Sequence, residues 1–146
     1  MLKPAPDFAR EQTIRTMVDL TRPSNLQRII VAGSDSANID LDLRGRGFFR
    51  VATTTTCSPR GQHTVGLVAG HHSLQALETI LVQISHFLSA TAAIAVVIDS
   101  RERGFGLKIR DRLEQFGFRI EAGVRCHEQF VLSARRRDFS HMAKAA

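Results

Sequence analysis

The chain has no tryptophan and no tyrosine; its only aromatic six-membered rings are nine phenylalanines. Most of those lie inside apolar stretches, so stacking platforms for single-stranded nucleic acid are poorly supplied. Cysteine is nearly absent. Cys57 and Cys126 stand far apart with no metal-type spacing, which supports no thiolate zinc site and favours two free thiols over a disulfide. No apolar run approaches the ~20 residues needed to span a bilayer. The opening Met-Leu-Lys-Pro-Ala-Pro-Asp has no apolar signal core, so the expectation is a cytoplasmic protein with no membrane attachment. There is also no glycine-rich phosphate loop ending in Lys-Ser or Lys-Thr, and no G-x-S-x-G nucleophile elbow.

The 146 residues fit one domain over 1–146, with 1–6 and 138–146 expected to be flexible. The net charge of +6 rests on 17 Arg and 3 Lys. A basic balance favours polyanions, but the arginines are spread along the chain. Only Arg135, Arg136 and Arg137 cluster, and they are the candidate nucleic-acid contact.

Hydrophobic patterning gives an order of elements. From a cap at Asp7, Ile14, Met17 and Val18 recur at helical spacing, and Pro23 closes the segment. Ile29–Ala32 is a continuous apolar run, as in a strand buried on both faces. Gly33-Ser34-Asp35-Ser36 forms a turn, with Asp35 or Ser36 able to cap a following helix. Over 37–47 the alternation of Ile39, Leu41 and Leu43 argues for a strand, and Ala37, Ile39, Leu43 and the Gly47 stop for a short helix; the helix is the reading taken. Residues 48–56, FFRVATTTT, and the later run TVGLVAG read as strands. A long helix over 73–90, capped by Ser73, carries Leu74, Leu77, Ile80, Leu81, Ile84, Phe87 and Leu88 on one stripe. AAIAVVIDS is another buried strand. GLKIRDRLEQF is a helix stopped by Gly117, and RIEAGVRC and EQFVLSARR form a closing strand pair. Helices alternating with apolar strands predict an α/β, three-layer Rossmann-like domain: a mostly parallel sheet, helices on both faces and a C-terminal antiparallel hairpin.

Three stretches carry a resemblance. RIIVAGSDSANIDLDLRGRGFFRVATTTT, TVGLVAGHHSLQALETILVQISHFLSATAAIAVVID and GLKIRDRLEQFGFRIEAGVRCHEQFVLSARR together cover about residues 26–137. They resemble the class I S-adenosylmethionine-dependent methyltransferases, in a shortened and degenerate form. The resemblance implies S-adenosylmethionine at Gly33, Ser34, Asp35, Ser36 and Thr54. It also implies that His71 and His72, directly after a strand, face a methyl acceptor, where an imidazole serves as general base. The departures are specific. AGSDSA keeps one glycine where the family's first loop has two or three. The second strand ends in Thr53–Thr56, with no carboxylate for the ribose. Cys57–His63 is too short for the family's usual third strand and its helix, so an antiparallel hairpin of 48–56 with TVGLVAG stands beside a parallel crossover.

Three functions follow from these residues. One is a degenerate methyltransferase-like domain acting in interaction or regulation, which the departures favour. The second is an active methyltransferase with an atypical cofactor loop. The third is a basic nucleic-acid-associated module. An exposed sheet edge would suit a homodimer. Asp99, Cys57, His86, His127 and Glu128 read as ion-pair, surface or turn residues.

Overall fold

In the computed structural model, residues 6–55, 59–70, 72–99, 104–126 and 129–136 are described. Helix α1 spans Pro6–Thr21, so it begins one residue before the expected cap at Asp7. Proline suits a first helical turn, where its missing N–H costs nothing. The helix ends as predicted: Arg22 turns to φ 48° before Pro23. Strand β1 is Ile29–Ala32, α2 is Ser36–Gly45, β2 is Val51–Thr53, β3 is His63–Val68 and α3 is Leu74–Ser85. Strand β4 is Leu88–Asp99, α4 is Phe105–Gln115, β5 is Phe118–Cys126 and β6 is Gln129–Arg136. This order matches the predicted one element for element.

Two boundaries differ. The predicted strand over 48–56 keeps only Val51–Thr53, because it lies at the sheet edge with a partner on one side only. The long helix stops at Ser85, so Phe87 and Leu88 leave its stripe, and Leu88 opens β4. Helical and strand spacing both put Leu88 inside, so periodicity could not separate them.

The six strands run in the order β2-β1-β3-β4-β6-β5. The first four are mutually parallel, and β6 is antiparallel to both β4 and β5. The hairpin alternative for β2 and β3 is therefore wrong: the two strands flank β1, one on each side. Val51 and Val65 both pair with Ile29, so residues 54–62 must return about four residues along the strands and cross two strand spacings. That is a span of roughly 17 Å, and nine residues reach it without an intervening helix. No third strand stands beyond β2 among the described residues, which makes β2 an edge.

The apolar strands are continuous because both faces are covered. Ile14 and Met17 of α1 and Ile39 and Leu43 of α2 pack with Ile29, Val31, Leu67 and Val97 on one face. Leu77, Leu81 and Ile84 of α3 and Ile109 and Leu113 of α4 pack with Ile30, Val68, Ile94 and Val96 on the other. Each such side chain contributes roughly 1.5–3 kcal/mol on burial.

Candidate functional site

Four parallel strands place the loops after β1, β2, β3 and β4 along one carboxyl edge, where ligands bind in open α/β sheets. The loops after β1 and β3 meet there directly. Gly33 has φ 105° and Gly70 has φ 126°, a region that side chains rarely enter. The Ser34 N–H donates to His72 Nε2 at 3.0 Å, and the Asp35 N–H reaches Ala69 O at 3.4 Å. A Cβ on Gly33 would overlap Ala69 O and sit 3.0 Å from His72 Cε1; one on Gly70 would overlap Ser34 Oγ and sit 2.9 Å from His72 Cε1. The two glycines let one loop close on the other, with the imidazole between them.

This arrangement fixes what each residue can do. With Nε2 accepting from a backbone amide, the neutral His72 ring carries its proton on Nδ1. It cannot accept a substrate proton at Nε2 without releasing Ser34. Asp35 occupies the N-cap position of α2 but makes no side-chain cap bond. Its carboxylate accepts from Asn38 Nδ2 at 2.8 Å and faces Arg10 Nε at 3.2 Å, tying α1 to the start of α2. Ser36 begins α2, its N–H on Gly33 O at 3.2 Å. Thr54 extends the β2 pairing through its N–H to Val31 O at 3.3 Å. The neighbouring Thr53 and Thr55 hydroxyls bond each other at 2.8 Å.

The expected cofactor residues thus lie on one edge, with Gly33, Ser34 and His72 in contact. They fit S-adenosylmethionine poorly. The glycine that would let a ligand approach β1 is taken up by Ala69 O and His72. At the end of β2 stand threonine hydroxyls without a carboxylate. Gly70, which sequence reasoning did not single out, is as constrained as Gly33; its one signal was a glycine at a strand end.

The basic cluster divides. Arg135 pairs with Glu121 at 3.2 Å across the β5–β6 ladder, an exposed pair that contributes little. Arg136 is turned inward. Its Nη1 donates to Ser85 O at 3.1 Å and Leu88 O at 2.9 Å, and its guanidinium lies 4.6 Å from the Phe118 ring centre. Burial lowers its pKa. It staples the end of α3 to the start of β4. Cys126 is a free buried thiol, 3.1 Å from Thr16 Oγ1, and His86 is the C-cap of α3. His71, Thr56, Cys57, Arg137, His127 and Glu128 lie outside the described residues, as does the Asp99 side chain.

Among the described residues no cluster of three His, Cys, Asp or Glu could hold a metal, and no helix is long and apolar enough to cross a membrane. No protein-family profile and no curated protein matches the sequence. Solved structures do match. One is the Burkholderia thailandensis 1,6-didemethyltoxoflavin-N1-methyltransferase with bound S-adenosylhomocysteine, at 12% identity and TM-score 0.61, over 91% of this chain and 82% of that one. Another is the magnesium protoporphyrin IX methyltransferase of Synechocystis PCC 6803 with bound S-adenosylmethionine, at 10% identity and TM-score 0.62, over 88% and 80%. The cyclase SpnF matches at 12% identity and TM-score 0.62, over 87% and 80%. At these identities the likeness concerns architecture alone: the chain has the Rossmann-like fold of the class I S-adenosylmethionine-dependent methyltransferases.

Proposed function

We propose that this chain is a degenerate methyltransferase-fold domain that acts in interaction or regulation and does not transfer methyl groups from S-adenosylmethionine. One observation carries the reading: the β1 loop closes on the β3 loop through Gly33, Gly70 and the His72–Ser34 bond. The absence of a carboxylate after β2 in the sequence and, among the described residues, of a third strand beyond it supports the same conclusion. The fold does not decide the matter, since one fold hosts many functions, and a cyclase stands among the structural neighbours.

A working methyltransferase is the second reading. In its favour, the start of α2 and the threonines after β2 share the carboxyl edge, which suits an anion at a helix N-terminus. In that case His72 would have to release Ser34 before ligand enters. For nucleic-acid association, Arg135 remains exposed but paired, and Arg136 is engaged internally.

Thermal unfolding with S-adenosylmethionine or S-adenosylhomocysteine separates the first two. A ligand at ~100 times its dissociation constant adds about 2.7 kcal/mol, or roughly 8–10 °C for a domain of this size. The expected result is an unchanged melting temperature at millimolar ligand. A saturable rise would restore the enzyme reading.

A further inference from the structure

A second concave site lies away from the β1–β3 clasp, at the start of α4. A cleft of about 280 Å³ is lined by Ile98, Gly104, Gly106, Leu107, Arg110, Phe130 and Leu132. Its floor is apolar and buried: Ile98 and Leu132 are core residues of β4 and β6. The Phe130 ring rests on Gly123, where any Cβ would overlap it, so this wall is held in place. On the helix side, Gly104 and Gly106 have nothing within 4 Å of a Cβ position, which leaves the cleft open. Leu107 is 66% exposed, a large apolar side chain left in water at the rim.

Among the described residues, one charge lines this apolar cleft. Arg110 stands one turn beyond Gly106 and Leu107, on the same side of α4. Three other described arginines in helices, Arg10, Arg44 and Arg112, each pair with an acid, whereas Arg110, like Arg15 on α1, has no hydrogen-bond or ion-pair partner among the described residues. A guanidinium beside a small apolar cleft matches a molecule with a carboxylate at one end and a compact apolar body. We propose that this cleft binds a small amphipathic carboxylic acid, its aryl or branched alkyl group on Ile98, Phe130 and Leu132 and its carboxylate on Arg110. The site is separate from the β1–β3 loops and does not depend on whether S-adenosylmethionine binds.

The test uses the full chain and phenylacetate as probe, followed by amide chemical shifts. Saturable shifts at Gly104, Gly106 and Leu107 are expected, with phenylacetamide about tenfold weaker because it lacks the charge. Arg110→Gln should weaken phenylacetate by a similar factor at an unchanged melting temperature, since it breaks no internal contact. Gly106→Leu should fill the cleft and abolish the shifts. A helical glycine is being replaced in open space, so the variant should melt no lower than its parent. Three results would overturn the site: no saturable shift, equal binding of acid and amide, or full binding by a folded Gly106→Leu variant.

Discussion

Gly33→Ala measures whether the β1 loop is closed or available to a ligand. At φ 105° an alanine takes on a left-handed conformation that costs about 1–2 kcal/mol. Its Cβ must also displace Ala69 O, a backbone atom in a buried segment, and crowd His72. Overpacking of this kind adds about 1–3 kcal/mol. Together these predict a loss of roughly 2–5 kcal/mol, or about 6–18 °C in melting temperature. Gly47→Ala is the matched control: φ is 97°, yet nothing lies within 4 Å of its Cβ. It carries the conformational cost alone, about 1–2 kcal/mol, and the gain from a stiffer unfolded chain cancels between the two variants. Urea unfolding of both gives the contact cost by difference. If Gly33→Ala costs no more than Gly47→Ala, the loops do not interlock, and the proposal built on them loses its support.

Other perturbations test the remaining contacts. Arg136→Met removes two strong hydrogen bonds and a ring contact and should cost about 2–4 kcal/mol by urea unfolding; Arg136→Lys should recover only part. An Arg136→Met variant as stable as its parent would remove the staple. Arg44 donates to Phe49 O and Val51 O at the β2 edge, so Arg44→Ala should raise self-association in sedimentation at equal protein concentration; unchanged sedimentation would show that the edge needs no cover. His63 is held below its ordinary 6.5 by burial first and by Arg28 as well, against the raising effect of its bond to Phe87 O. The unfolded chain therefore binds the extra proton, and stability is lost as pH falls below about 6.5. His63→Gln should flatten the melting temperature between about pH 7 and pH 5, and an unaltered slope would assign the effect elsewhere.

What the sequence determined by itself is the succession of elements and their inward faces. Ile29–Ala32 and AAIAVVI are apolar at every position because helices cover both sides of the sheet, and such runs can be read from neighbouring residues alone. The Ser73 cap, whose Oγ accepts from Ala76 N–H at 3.2 Å, and the Gly117 stop at φ 89° are equally local. The tertiary structure decided the rest, because it depends on residues far apart in the chain. Whether β2 paired with β3 or crossed β1 could not be read from strands of like composition; it was set by which edges remained open. Ser34 and His72 are 38 residues apart, and nothing around either announces the other. Arg136 looked like part of a basic surface until the fold carried it to the carbonyls at the end of α3, where a guanidinium satisfies groups that no nearer residue reaches.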